Sequence, residues 1–149
     1  MPGFPNPPTA AGTSPLRIQI TYYWRHRRRA RLEAPLLFTE WVQHRKLYDR
    51  DPRLPRLADK VRAKIFVTEQ LGGHWVTPTL WRGSGLPSTP AWDYPFVVKS
   101  RHGCGHIVVV RDPHDYAEAV RRSRQWMHRS YGAWLDEWLY GEIDRGILV

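Results

Sequence analysis

The chain has 149 residues, 42% of them hydrophobic and 13% aromatic, which is enough for one domain with a buried core and too short for most multidomain proteins. Lysine and arginine (23) outnumber aspartate and glutamate (14), and the formal charge of +9 favours acidic partners such as phosphates, anionic polymers or lipid headgroups. The single cysteine, Cys104, excludes an internal disulfide, and no run of residues predicts a membrane span or a signal peptide. We therefore expect a cytoplasmic protein.

The first 34 residues differ in composition from the rest of the chain. Five of the 13 prolines lie within residues 1–15, a composition typical of disordered linkers. Residues 17–34 hold six arginines and a single acidic residue, Glu33. We predict a disordered, proline-rich and basic tail over residues 1–34, followed by one domain over residues 35–149.

From Pro35 onward the hydrophobic pattern predicts several helices. Apolar residues at helical spacing indicate one helix over about 36–47 and a second over about 55–71, which Gly72 and Gly73 end. A third helix begins at the Asp112–Pro113 signal and reaches about residue 127. A further helical stretch is expected over 134–140.

Short β-branched and aromatic runs predict the strands. These runs cover residues 75–81, 96–99 and 107–110, and the apolar end of the chain, 147–149, indicates a fourth, buried strand. The expected class is α+β, with a small, largely antiparallel sheet of three to four strands packed with helices. Because chains usually end on surface segments, a buried strand at the last residue suggests that this sequence stops inside a domain.

The stretch with the clearest chemistry links two of these strands. Lys99 ends the first, and the loop from His102 to Gly105 contains two glycines, which let backbone N–H groups approach an anion without interference from a Cβ. Lys60, on the second predicted helix, can direct its charge across a cleft toward this loop. A phosphate site is one interpretation; a common turn beside a solvated helix face is the other.

Several motifs in fixed order carry a family resemblance. They are Lys46–Pro52, Leu57–Lys60, Gly72–Leu80, Phe96–Lys99 with His102–Gly105, and then Trp126, Tyr131, Glu137, Trp138 and Tyr140–Val149. Between about Tyr22 and Val149 the chain thereby resembles the TupA-like branch of the ATP-grasp superfamily. Proteins of that branch are linked to teichuronopeptide and other surface-polysaccharide synthesis.

The resemblance implies a fold and a chemistry. It implies the first lobe of an ATP-grasp domain, in which Lys60, Lys99 and the loop of His102, Gly103, Cys104 and Gly105 hold the phosphates of ATP. Cys104 stands where the family pattern usually has serine. The implied reaction is ATP- and Mg²⁺-dependent activation of a carboxylate, with a carboxylate or a sugar polymer as substrate.

One part of the family pattern is missing from the sequence. The adenine hinge and the metal-binding residues would follow Val149, so we expect no catalytic residue and no metal ligand here. We also expect no turnover from this chain alone, and an inactive remnant is a second interpretation.

Other interpretations involve the basic residues and the loop histidines. Tyr22, Tyr23 and Trp24 precede the run Arg25–Arg31, a pattern that fits a nucleic-acid or polyanion-binding segment or contact with an anionic membrane surface; nucleic acid is the less favoured partner. The alternation of His102, Cys104 and His106 also fits zinc ligands or a Cys–His nucleophile pair. The intervening glycines favour a loop instead, and the sequence places no fourth ligand.

Overall fold

The computed structural model describes residues 14–149. Within these residues it contains five α-helices and one four-stranded antiparallel sheet, so the predicted α+β class is confirmed. The helices are α1 (Pro15–His26), α2 (Phe38–Tyr48), α3 (Arg53–Ala58), α4 (Lys60–Leu71) and α5 (Pro113–His128). The strands are β1 (Arg82–Gly83), β2 (Phe96–Ser100), β3 (Ile107–Val110) and β4 (Ile147–Leu148).

The last strand of the chain occupies an interior position in the sheet. The strand order is β1-β4-β2-β3, with Lys99 of β2 opposite Ile107 of β3 on one side and opposite Leu148 of β4 on the other. β4 also pairs with β1, where Leu148 lies opposite Arg82. The predicted terminal strand is therefore present, and it holds two other strands together.

The core lies between one face of the sheet and α5. Strand β2 alternates, so that Phe96 and Val98 are buried while Val97 and Lys99 are only partly buried on the opposite face. Helix α5 begins where the sequence predicts, because the side chain of Asp112 caps it by accepting a hydrogen bond from the N–H of Asp115 at 2.8 Å. The core residues are Phe96, Val98, Val108, Val110, Tyr116, Ala119, Trp126, Ile147 and Val149.

Two predicted elements take a different form. The expected strand over 75–81 does not form. A 3₁₀ turn covers Gly73–Trp75, and the strand in this region, β1, begins only at Arg82. Pro78 has no N–H for a sheet ladder, and pairing begins only beyond it, where Leu80 donates to the carbonyl of Val149 at 2.7 Å. The expected helical stretch over 134–140 consists of two 3₁₀ turns, separated at Asp136, whose φ of 57° interrupts a right-handed helix.

Part of the predicted tail is a packed helix. Ser14 caps α1 by accepting a hydrogen bond from the N–H of Arg17 at 3.2 Å, and Ile18 and Tyr22 are buried. Arg17 forms an ion pair with the buried carboxylate of Asp136. Burial of two large side chains outweighs the basic composition in this stretch. Residues 1–13 of the predicted tail lie outside the described residues.

The second predicted helix is divided into α3 and α4 by Asp59. This residue has an extended conformation, and its buried carboxylate accepts a hydrogen bond from the N–H of Val61 at 3.0 Å, so it begins α4 as its N-cap. Arg101 donates to both of its oxygens, with Nε at 2.8 and 3.0 Å and one Nη at 2.6 Å. The carboxylate therefore joins the helix pair to the end of β2.

The charge of Asp59 is maintained by these partners. Burial by itself raises the pKa of this carboxyl, but hydrogen bonds from Arg101 and Val61 outweigh burial and hold the pKa below its ordinary value. A lowered pKa in the folded state means that the interaction stabilises the protein above about pH 4 and is lost as the pH falls through the folded-state pKa.

We predict that Asp59→Asn lowers the free energy of unfolding by about 2–3 kcal/mol, because it leaves Arg101 without its bidentate partner. Urea denaturation at pH 7 measures this change. Asp144→Asn is the matched control, since Asp144 also contacts Arg101, at 3.1 Å, but its side chain is 65% exposed. The control should lose less than about 1 kcal/mol; equal losses in both variants would contradict the structural role given to Asp59.

Candidate functional site

Lys60 reaches the glycine loop in the way that the sequence suggested. It is the first residue of α4, directly after the Asp59 cap, and its Nζ donates to the carbonyl of Gly103 and, at 3.5 Å, to that of Arg101. The ion pair between Asp59 and Arg101 thus fixes the start of α4 beside the loop. Because its Nζ contacts the loop, Lys60 does not lie on a purely solvated helix face, which was one of its two interpretations.

Lys99 lies on the face of the sheet opposite the core, and this face forms one wall of a cleft. Helix α4 forms the other wall, and the cleft has a volume of about 750 Å³. Three lysines, Lys60, Lys64 and Lys99, line it together with apolar residues. None of the described side chains that line this cleft is a carboxylate. The remaining lining residues are Ala63, Thr77, Pro78, Leu80, Pro95, Phe96, Val97, Leu148 and Val149.

The lysines of the cleft repel one another. Burial lowers the pKa of Lys60, and the positive charge of Lys99 lowers it further, against the opposing effects of Cys104 and Asp59. Burial and the charge of Lys99 also lower the pKa of Lys64. Cations gathered beside low-dielectric walls without an anion produce a positive potential, which attracts anionic ligands.

Lys64 was not singled out in the sequence. It follows Lys60 by one helical turn, a spacing that places both side chains on one face of α4. Its Nζ donates to the carbonyl of Thr77 and to the hydroxyl of Thr79, both at 2.8 Å. The i, i+4 spacing from Lys60 indicates that Lys64 lies on the same helix face. The sequence does not indicate that residues 77–79 approach this helix.

The two loop glycines are required for different reasons. A Cβ on Gly103 would lie 2.5 Å from Nδ1 of His106 and 3.0 Å from Oγ of Ser100, so a larger residue forces His106 to shift. Gly105 has open space around it but a φ of +71°, which other residues adopt at a cost. Within residues 14–149 the N–H groups of Gly103, Cys104 and Gly105 donate no hydrogen bond. Cys104 and Gly105 are exposed, so their N–H groups are available to an anion, whereas Gly103 is buried.

His102 contributes its backbone to the loop, but its side chain belongs to the core. The imidazole is 2% exposed; its Nε2–H donates to the carbonyl of Trp126 at 3.0 Å, and Nδ1 accepts from the N–H of Gly146 at 3.4 Å. Burial lowers the pKa of His102, with a smaller contribution from the charge of Arg145. The side chain is thus held as a neutral tautomer and is not directed at a ligand.

Cys104 and His106 both lie beside Tyr131 but differ in exposure and in their other contacts. Cys104 is an exposed free thiol beside Tyr131, whose pKa is raised to about 12, mainly by burial and then by Cys104. His106 stacks in parallel on Trp126, with 5.2 Å between ring centroids, and its Nδ1 lies 3.0 Å from Oγ of Ser100. The structure does not bring His102, Cys104 and His106 together as metal ligands.

Another group of potential metal ligands in the described part of the chain is Asp112, His114 and Asp115. Its carboxylates already have other partners. Asp112 accepts from the N–H of Asp115 at 2.8 Å, and Asp115 accepts from the N–H of Arg111 at 3.0 Å. These contacts are those of a helix start.

Comparisons with known proteins do not assign the chain to a family. No family model matches the sequence, and neither a curated protein nor a solved structure matches it. The similarity to TupA-like ATP-grasp proteins therefore stays a prediction from the motifs. Across residues 14–149, no helix has the length and apolar character needed to cross a membrane.

We predict that Gly103→Ala destabilises the protein by about 1–3 kcal/mol, because the added methyl group overlaps His106 and forces the loop to move. Thermal or urea unfolding provides the measurement. Gly141→Ala is the matched control, as nothing lies within 4 Å of a Cβ at that position. The packing assigned to the loop would be wrong if Gly103→Ala were as stable as its control.

The two loop histidines predict a dependence of stability on pH. Burial lowers the pKa of both His102 and His106 in the folded state, so stability is greatest above the unfolded-state pKa of about 6.5 and decreases as the pH falls below it. One proton per histidine sets an upper limit of about 1.4 kcal/mol per pH unit on the contribution of each to this slope.

Urea denaturation between pH 7.5 and pH 5 measures this slope, and His106→Gln should reduce it by removing one of the two groups. A wild-type stability that stays constant over this range would contradict the prediction.

Proposed function

We propose that the cleft between α4 and the sheet binds the phosphate groups of a nucleotide, with ATP as the expected ligand. The observation that carries this proposal is that Lys60, Lys64 and Lys99 line one cleft in which no described side chain is a carboxylate. Cations that share a cleft without a carboxylate side chain weaken a fold, because they repel one another and lose hydration. Such an arrangement is typical of a site that binds a polyanion.

The lining of the cleft suits the two parts of a nucleotide. The lysine ammonium groups can donate to phosphate oxygens, and the loop that Lys60 contacts adds the exposed N–H groups of Cys104 and Gly105 beside the cleft. The apolar side chains of Pro78, Leu80 and Val97 offer a surface that can bury part of a planar base or a ribose. An inorganic phosphate chain would use only the first of these features.

Mg²⁺ fits this cleft less well than the phosphates do. The ion prefers oxygen ligands, commonly one or two carboxylates together with substrate phosphates. No side chain of the described lining is a carboxylate. We therefore propose no metal ligand among these lining residues.

The activity we propose is that of an ATP-grasp-type ligase or transferase of polysaccharide or teichuronopeptide synthesis, acting on a carboxylate or sugar-polymer substrate. Support comes from the ordered motifs and from the position of Lys60 and Lys99 on one cleft. Lysines placed around a transferring phosphoryl group stabilise its charge in the transition state. In this proposal the described residues supply the phosphate-binding half of the site.

We predict that Lys99→Ala lowers the affinity for ATP by about tenfold to a hundredfold, the range expected for loss of a charge-assisted hydrogen bond. Isothermal titration calorimetry with ATP, and separately with inorganic triphosphate, measures the change. Lys99 is suited to this test because Lys60 also supports the loop, so its replacement would change two features at once.

Arg124→Ala is the charge-matched control, since Arg124 is an exposed residue of α5 that does not line the cleft. The control should bind ATP as the wild type does. Equal losses in both variants would indicate a response to net charge and would overturn the proposed site, as would the absence of ATP binding by the wild type. Tighter binding of ATP than of triphosphate supports a nucleotide as the ligand.

A further inference from the structure

The outer face of α1 carries an apolar stripe that the rest of the described chain leaves uncovered. Leu16, Ile20 and Trp24 recur every four residues and therefore lie along one side of the helix, joined by Tyr23. Leu16 is 70% exposed and Trp24 is 73% exposed. These residues line an open groove of about 710 Å³. We call Leu16, Ile20, Tyr23 and Trp24 the α1 stripe.

The opposite face of α1 is firmly attached to the domain. Ile18 and Tyr22 are buried, and the Tyr22 hydroxyl lies 2.9 Å from that of Thr39. At the edge of the groove itself, Gln19 exchanges two hydrogen bonds with the backbone of Ala30, at 2.8 and 3.0 Å. Because the helix is held on this side, the α1 stripe is a fixed feature of the surface and not the product of a loose terminal segment.

Four exposed arginines follow the α1 stripe along the chain, and one of them, Arg29, lines the same groove. None of the side chains of Arg25, Arg27, Arg29 and Arg31 forms an ion pair with a carboxylate within residues 14–149. In the same region Arg28 is paired with the buried Glu40 at 2.8 Å. The arginine that packs against the fold thus has a carboxylate partner, whereas the side chains of the four exposed arginines have none among the described residues. An anionic partner would complement these four charges.

We propose that the α1 stripe and its arginines bind the surface of an anionic lipid bilayer. Aliphatic residues and tryptophan on one face of a helix, with arginines beside them, are the pattern of a helix that lies in the membrane interface. Tryptophan and tyrosine favour the headgroup level, and each arginine near the surface attracts anionic lipids. This inference concerns a different surface from the nucleotide cleft and does not depend on it.

Two other partners fit the same observations less well. A single-stranded nucleic acid would use aromatic side chains for stacking, but Leu16 and Ile20 offer no ring and would remain in water. A second copy of the chain packed stripe to stripe would bring its own arginines next to these four. Such like-charge contacts across an interface are unfavourable.

The experiment is co-sedimentation of residues 1–149 with vesicles of phosphatidylcholine alone and with vesicles that also contain phosphatidylglycerol. Binding is expected only to the anionic vesicles and should weaken with added salt. Trp24→Ser should reduce the partition coefficient by about tenfold, and Arg29→Ala by about fivefold. Both positions are exposed, so the fold should persist, and circular dichroism verifies this.

Trp134→Ser is the matched control, because Trp134 is 71% exposed but lies outside α1. It should bind vesicles as the wild type does. The proposal is overturned if the wild type ignores anionic vesicles or if Trp24→Ser binds them unchanged. Two other results would also overturn it. In the first, Trp24 is needed for binding to single-stranded DNA but the protein does not bind vesicles. In the second, the protein is a dimer that Trp24→Ser dissociates and that added vesicles leave intact. None of these outcomes bears on ATP binding, which Lys99→Ala tests separately.

Discussion

The ion pair between Asp59 and Arg101 is the interaction on which the arrangement of the site depends. One buried carboxylate ends α3, begins α4 by accepting from the N–H of Val61, and accepts a bidentate hydrogen bond from the residue that follows β2. Because Lys60 is the next residue, its position beside Gly103 follows from this contact. A small sheet with short strands gains a fixed connection to its helices at the cost of burying one charge.

This connection explains why a cleft exists at all. Helix α4 has no buried residue of its own, so apolar packing alone does not hold it against the sheet. It is attached at its start by Asp59 and along its length by Lys64, which donates to Thr77 and Thr79. The space that remains is bounded by lysines and apolar groups. A helix attached by polar contacts at one side can leave such a space where a fully packed helix would close it.

The cleft between α4 and the sheet and the α1 stripe deviate from ordinary packing in opposite ways. Lysines line the cleft without a carboxylate side chain among them, whereas the α1 stripe exposes apolar groups that no residue of 14–149 covers. Each arrangement is unfavourable for an isolated domain in water and becomes favourable when a partner of suitable chemistry is bound. They lie on separate elements, α4 with the sheet and α1, so one partner can bind without the other.

Local patterns determined the elements that depend on neighbouring residues alone: α2, α5 with its Asp112 cap, strands β2 and β3, and the terminal β4 were all predictable from periodicity and capping signals. Tertiary structure decided the rest. The division at Asp59 required Arg101, which lies 42 residues away, and the packing of α1 required Asp136 to pair with Arg17. The core position of the His102 side chain required Trp126. A residue's own segment specifies its periodicity, but a charged or polar side chain takes its role from partners that only the folded chain brings within hydrogen-bonding distance.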